Sequence, residues 1–89
     1  MPRLGMDADE VERVATQLNN QANSLGQAIS QINGLVNQAT QVWDGNDSRQ
    51  FHDWWNNTHK PNLEKAKHAL EDLGKSAKQN AEEQRRISG

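Results

Sequence analysis

The chain of 89 residues contains no cysteine, which excludes disulfide bonds and thiolate metal sites. Apolar residues are scarce, because 33% of the sequence is hydrophobic, 4% is aromatic and the mean hydropathy is -1.07. No apolar run approaches the roughly 20 residues that a bilayer-spanning helix needs. Met1-Pro2-Arg3-Leu4-Gly5 leads directly into charged residues, so we expect no cleaved signal peptide.

An excess of charge of one sign is also lacking. Ten Lys and Arg residues oppose twelve Asp and Glu residues, which gives a net charge of -2 and a pI of about 5.8. Without a basic excess to neutralise phosphates, we expect no nucleic-acid binding. A chain of this length forms one domain, to which we assign residues 1–89.

In the first half of the chain, apolar residues recur at intervals of three and four, which is typical of one face of a helix. Before them, Asp7 and Glu10 form a capping-box pattern. We therefore predict a first helix over about residues 7–43. Its apolar stripe comprises Val11, Val14, Leu18, Ala22, Leu25, Ile29, Ile32, Val36, Ala39 and Trp43, widened by Ala15, Ala28, Leu35 and Val42.

Trp43-Asp44-Gly45 lies near mid-chain, where the first helical pattern ends. A glycine tolerates the positive φ that often follows a helix C-terminus. Asp47 and Gln50 then repeat the capping-box spacing, with Asn46 and Ser48 as alternative caps. We predict a bend at residues 44–47, with Trp43 as a large apolar side chain packed at that end of the hairpin.

A second helix is predicted over about residues 48–84. Its apolar residues are Phe51, Trp55, Leu63, Ala66, Leu70, Leu73 and Ala77. Pro61 lies within this pattern, and an interior proline removes one helical hydrogen bond and usually kinks the axis. We therefore expect a kink or a broken turn near residues 57–61.

Two long helices joined by a bend make an all-α, helix-turn-helix hairpin. One helix–helix interface offers little apolar surface to offset an ordering cost of about 1.5 kcal/mol per residue. We therefore expect a partner chain to complete the core. The residues expected in the core and dimer interface are Val11, Val14, Leu18, Leu25, Ile29, Ile32, Val36, Phe51, Trp55, Leu63, Leu70 and Leu73.

Trp54 and Trp55 are adjacent, and at about 100° per residue they cannot both face the same core. The register of Leu63 and Leu70 places Trp55 inward and Trp54 nearly opposite. An exposed tryptophan is a favoured anchor for a partner protein. The alternative, that Trp54 lies flat on neighbouring side chains, is equally compatible with the sequence.

His52, His59 and His68 raise the possibility of a metal site in an enzyme or carrier. His52 and His59 are about 10 Å apart along a helix axis, which is too far for both to bind one ion. Surface histidines are the simpler interpretation. No nucleophile is paired with a base, so we expect no catalytic, metal-binding or cofactor-binding residues and no small-molecule substrate.

The motifs of both halves together resemble the WXG-100 (Trp-x-Gly, ESAT-6-like) family, and the similarity covers residues 7–84. They are Trp43-Asp44-Gly45, Phe51 four residues before Trp55, Pro61-x-Leu63, Leu70-x-x-Leu73, and Asn80-Ala81 followed by Gln84. The resemblance implies an antiparallel four-helix bundle formed with itself or with a sister protein. It also implies synthesis in the cytoplasm and export, without a cleaved signal peptide, through a type VII (ESX-like) system and its membrane ATPase. Family members act as substrates, export partners or effectors.

One feature departs from the family pattern. Substrates of the family commonly carry a C-terminal Tyr-x-x-x-Asp/Glu export signal, and this sequence has no tyrosine. Either a partner supplies the signal, or the protein escorts one that carries it. The alternative function is that of a helical adaptor or coiled-coil dimerisation module that stays inside the cell. Membrane attack by amphipathic helices is less favoured, because the outer face lacks the basic character of such helices.

Overall fold

The computed structural model describes residues 5–88, and every regular element in that range is helical. Helix α1 spans Ala8–Gln41, α2 spans Asn46–Trp54, a π-helical segment spans Trp55–His59, and α3 spans Lys60–Ser88. The all-α helical hairpin predicted from the sequence is confirmed. Residues 1–4 and 89, which the predicted domain includes, lie outside the described residues.

Helix α1 begins after Asp7, whose side-chain Oδ1 accepts a hydrogen bond of 3.3 Å from the backbone N–H of Glu10. This bond satisfies one of the N–H groups that the first helical turn leaves unpaired. The helix ends at Gln41, two residues earlier than expected. At this end the N–H of Val42 donates to the Ala39 carbonyl at 3.2 Å, three residues earlier, and the hydroxyl of Thr40 donates to the Asn37 carbonyl at 3.0 Å.

The bend is built on Gly45, whose φ is 104° and ψ is -175°. This backbone region is essentially restricted to glycine. Gly45 precedes α2, and no side chain caps the start of that helix. The predicted cap at Asp47 is therefore wrong, because α2 begins at Asn46 and Asp47 already lies in its first turn. There its negative carboxylate lies near the positive end of the helix dipole, which is a favourable interaction.

Before Pro61 the helix widens instead of breaking. The backbone N–H of Lys60 donates to the carbonyl of Trp55, five residues earlier, which is the hydrogen bond that defines a π-helical turn. Helical structure is contiguous from Asn46 to Ser88. Proline has no N–H and its ring disturbs the preceding turn. The π-helical segment Trp55–His59 overlaps the range of residues 57–61 in which a kink or a broken turn is expected.

The chain divides into two compact units, which we describe separately. The bend unit comprises residues 23–67. Its core consists of Ile29, Val36 and Trp55, with Leu25, Ile32 and Leu63 packed against it. The side chain of Lys67 passes over Gly26, where an added Cβ would lie 3.0 Å from the Lys67 Cε.

The terminal unit comprises residues 5–22 and 68–88 of the described chain. Its interior is made of small residues, since Ala15, Ala22, Gly74 and Ala81 are all buried. A Cβ added to Gly74 would lie 3.2 Å from the backbone oxygen of Ala15. The backbones of α1 and α3 therefore approach closely in this unit, which leaves little room for large side chains.

Candidate interaction surfaces

Trp43 and Gly45 have separate structural roles at the bend. Trp43 follows the end of α1, and its ring lies 5.4 Å from that of Phe51 at a tilt of 48°. Both rings remain partly exposed. Beside them an open groove of about 320 Å³ is lined in part by Ser48, Arg49 and the motif residues. The aromatic pair covers the bend, and Gly45 supplies the backbone conformation that lets the chain reverse.

Trp55 is the largest buried side chain of the bend unit. It is 6% exposed, and its indole Nε1–H donates a hydrogen bond of 3.0 Å to Oδ1 of Asn33 on α1. Asn33 was not identified from the sequence, because nothing in its local pattern distinguishes it from the other Asn and Gln residues of α1. The one related signal in the sequence is the predicted inward orientation of Trp55, whose indole N–H needs an acceptor when it is buried.

Trp54 is 62% exposed, in contrast to its neighbour. Its ring lies 4.9 Å from that of His59 at a tilt of 49°. The π-helical turn explains this contact, because hydrogen bonding between residues five apart returns His59 to the side of the helix that carries Trp54. A broad face of the indole nevertheless remains open to solvent.

The residues expected in the core and dimer interface divide into three groups by exposure. Ile29, Val36 and Trp55 are buried. Those that are half-buried are Val11, Leu18, Leu25, Ile32, Leu63 and Leu70. Val14, Phe51 and Leu73 are exposed, with Leu73 at 57%. The folded chain thus covers only part of the expected surface.

The single stripe expected along α1 proves to be two rows. The buried row is Ala15, Ala22, Ile29 and Val36, spaced seven residues apart. Leu35, which directly precedes Val36, is 62% exposed, and Val42, just beyond the end of α1, is 86% exposed. Since adjacent helical positions differ by about 100°, one row faces the rest of the chain while the other does not.

Ion pairs in the terminal unit join α1 to α3. The Nη2 of Arg85 lies 2.7 Å from Oδ1 of Asp9 and 2.6 Å from Oε2 of Glu12. The hydrogen bond from Arg85, followed by its charge, lowers the pKa of the Asp9 carboxyl. The hydrogen bonds to Asp9 and Glu12 raise the pKa of Arg85. On α1 itself, the hydrogen bond to Glu10 raises the pKa of Arg13.

A family model described as "Proteins of 100 residues with WXG" matches residues 3–86. The chain belongs to the WXG100 family. Trp43-Asp44-Gly45 is its Trp-x-Gly motif. WXG100 proteins are small, helical, ESAT-6-like proteins without enzymatic activity. No curated protein and no solved structure matches this chain.

The three histidines of this WXG100 chain each contact different residues. His52 is near Asp53 and Asn56, His59 contacts Trp54, and Nδ1 of His68 lies 3.1 Å from Oε1 of Glu71. Within residues 5–88, no group of three or more His, Asp or Glu side chains is placed to hold a metal ion. In the same part of the chain, no helix has an apolar stretch long enough to cross a membrane.

Proposed function

We propose that this WXG100 protein is a non-enzymatic, dimer-forming protein that is exported by a type VII (ESX-like) secretion system. It acts there as a substrate, an export partner or an effector. The observation that supports this proposal is the exposure of Leu35, Val42 and Leu73 on a chain with few large apolar residues. A partner that covers these side chains would remove apolar area from water, which favours association.

The small internal core supports pairing with another chain. Among the described residues, the buried hydrophobic side chains are Ala15, Ala22, Ile29, Val36, Trp55 and Ala81. Half of these are alanines, which contribute little apolar area each. A second hairpin laid against the open row would bury the remaining apolar side chains and produce the four-helix bundle. The partner is a second copy or a sister WXG100 protein.

Membership of the WXG100 family supports the proposed export through a type VII system. The partner role and the export role are linked, because a hairpin that is covered by a partner presents less apolar surface to other proteins on its way out of the cell. The type VII membrane ATPase is the component that we expect to act on the resulting dimer.

Export is tested by following the protein in its native host. We expect it in the culture supernatant, and we expect deletion of the secretion ATPase to retain it in the cells. Retention in both strains, with a stable dimer in the cytoplasm, would instead support the intracellular adaptor function.

Pairing is tested with Leu25→Asp and Ile32→Asp, which place a charge among half-buried apolar side chains. We expect both variants to lose the dimer by light scattering, whereas Ser30→Asp, at an exposed position, retains it. Circular dichroism reports whether each chain remains helical. Wild-type mass and thermal stability in the first two variants would contradict the proposed interface.

A further inference from the structure

Asn33 and Gly34 lie within α1 and form the only Asn-Gly pair in the sequence. An asparagine followed by glycine is especially prone to spontaneous deamidation, because no side chain shields the backbone nitrogen that attacks the amide. Glycine also weakens a helix interior. Gly34 is exposed, and an added Cβ there would meet no atom within 4 Å. A reactive pair therefore coincides with a weak point of α1.

Deamidation of this pair needs no reactant other than water. The backbone nitrogen of Gly34 loses its proton and attacks Cγ of Asn33, so that a bond forms between these atoms while the bond from Cγ to Nδ2 breaks. Nδ2 takes up the proton and leaves as ammonia, and a succinimide ring remains. Water then adds its hydroxyl to a ring carbonyl and its hydrogen to the ring nitrogen. Cleavage at Cγ gives aspartate, and cleavage at the backbone carbonyl gives isoaspartate.

Two features of the folded chain oppose this attack. The N–H of Gly34 lies inside α1, where it donates to the carbonyl four residues earlier. The Oδ1 of Asn33 accepts a hydrogen bond of 3.0 Å from the indole Nε1–H of Trp55, which is buried. The helix thus holds the nucleophile, and Trp55 holds the amide. For the two to react, α1 must open locally around them.

We propose that Asn33 is a site of spontaneous deamidation that is closed while α1 is folded and the hydrogen bond to Trp55 is made. A donor to Oδ1 would also stabilise the negative charge that develops there during attack, which by itself favours the reaction. That effect requires a free Gly34 nitrogen, and the intact helix does not supply one. The bond to Trp55 therefore slows deamidation by stabilising the closed helix.

The two products have opposite consequences for α1. Aspartate keeps the normal backbone and an oxygen that accepts from the indole N–H of Trp55, now as a charge-assisted hydrogen bond. Isoaspartate routes the main chain through the Cβ and Cγ of residue 33 and lengthens it by one atom. Helical hydrogen bonds across that residue then no longer close their normal rings, and Val36 loses its alignment with Ile29. Isoaspartate at this position records irreversibly that the helix has opened.

The first experiment identifies the site by mass spectrometry of peptides from the full chain, incubated in urea and in native buffer. We expect Asn33 to be modified faster than any other asparagine in urea, and at least about tenfold more slowly in native buffer. Gly34→Ala is the control, because its methyl group shields the attacking nitrogen and should strongly reduce the rate in urea. An unmodified Asn33 in urea, or equal rates in the two conditions, would overturn the proposal.

The second experiment measures the opening of wild-type α1 without any substitution. Hydrogen exchange of the Gly34 amide gives the fraction of time for which its N–H is free. The rate of Asn33 deamidation in native buffer should equal the rate in urea multiplied by this fraction, to within about threefold. A native rate far above that product would show that the attack proceeds in the closed helix, which contradicts the proposed control by opening.

The role of Trp55 is tested with Trp55→Phe and Ala81→Gly. Trp55→Phe removes the indole N–H and should raise the native rate at Asn33 by about tenfold. Ala81→Gly weakens α3 at a buried position of the terminal unit and should raise that rate by less than about twofold, because α1 opens locally in the bend unit. An unchanged or lower rate in Trp55→Phe, or an equal increase in both variants, would overturn the role of the bond.

The last experiment compares the two products after chromatographic separation, with Asn33→Asp as the standard for aspartate. Isoaspartate is identified by its methylation with isoaspartyl methyltransferase. Both products carry the same charge, so a difference between them comes from the backbone. We expect the aspartate form to retain wild-type helicity and the isoaspartate form to lose helicity in circular dichroism. Equal helicity and equal melting of the two forms would contradict the proposed disruption of α1.

Discussion

The indole of Trp55 and the side-chain amide of Asn33 join two helical segments through a hydrogen bond of 3.0 Å between residues 22 positions apart. Trp55 is buried and Asn33 is half-buried, so the bond gives an acceptor to the N–H of a buried indole. The bond therefore selects one alignment of α1 with the π-helical segment. Sliding either helix by one turn would leave the buried indole N–H without this acceptor.

Trp55→Phe is expected to lower the free energy of unfolding by about 1–3 kcal/mol, because it retains a ring but leaves the Asn33 amide without its donor. Trp55→Ala should cost about 3–5 kcal/mol, since it also opens a cavity beside Ile29 and Val36. Urea unfolding followed by circular dichroism measures both values.

Asn33→Ala and Asn37→Ala provide a matched comparison on the same helix. We expect Asn33→Ala to cost about 1–3 kcal/mol, because it strands the indole N–H. Asn37 is exposed, so its replacement should change stability by no more than about 0.5 kcal/mol. Equal effects at the two positions would show that the bond contributes no net stability.

The sequence predicted those features that depend on local spacing. The apolar residues of α1 recur at intervals of three and four, and these intervals identify a helix because they follow the 3.6-residue helical period. Gly45 was correctly expected to adopt a positive φ, since the requirement arises from the chain reversal beside it. Such features need no knowledge of distant residues.

Features that depend on individual hydrogen bonds or on distant residues were not predicted. At the end of α1 the N–H of Val42 donates to the carbonyl of Ala39, three residues earlier, and the apolar spacing does not reveal this tightened last turn. The π-helical turn rests on the bond from Lys60 to Trp55. The division of the apolar stripe into buried and open rows depends on where α3 lies, and the small residues Ala81 and Gly74 set that position in the terminal unit.

Gly45→Ala is expected to lower the free energy of unfolding by about 1–3 kcal/mol. Its φ of 104° and ψ of -175° lie in a region that residues with a Cβ enter only under strain. The added methyl group itself meets no atom within 4 Å, so the cost comes from the backbone alone. Thermal and urea unfolding measure the difference.

Gly34→Ala is the control for that substitution. Gly34 lies within α1, and an added Cβ there also meets no atom within 4 Å. Because alanine is favoured over glycine in a helix by up to about 1 kcal/mol, this variant should be more stable than wild type. Stabilisation by both substitutions would show that the bend does not require glycine.

The terminal unit is expected to lose stability in acid. Arg85 lowers the pKa of Asp9 in the folded chain, so this pair stabilises the fold at pH values above the unfolded carboxyl pKa of about 3.9. The contribution is lost as the pH falls through the lowered pKa of the folded state. Because both groups are exposed, the effect should be small and should decrease with added salt.

Arg85→Gln should remove most of this acid dependence, and Arg86→Gln should leave it unchanged. Both arginines are exposed, but only Arg85 bonds Asp9 and Glu12. The measurement is the thermal midpoint between pH 2 and 7 at low salt. Identical pH profiles for the two variants would exclude the Arg85 pair as the cause.

Trp54 should matter for binding and very little for folding. Its indole is 62% exposed and contacts His59 alone among the rings of the described residues, so Trp54→Ala should change the free energy of unfolding by about 0.5 kcal/mol or less. If Trp54 anchors a partner, the same Trp54→Ala substitution should weaken the binding free energy by about 2 kcal/mol or more. Calorimetric titration with the partner and a thermal melt of the variant separate the two quantities. If the variant melts markedly lower but binds normally, then Trp54 packs on its own chain and has no role as an anchor.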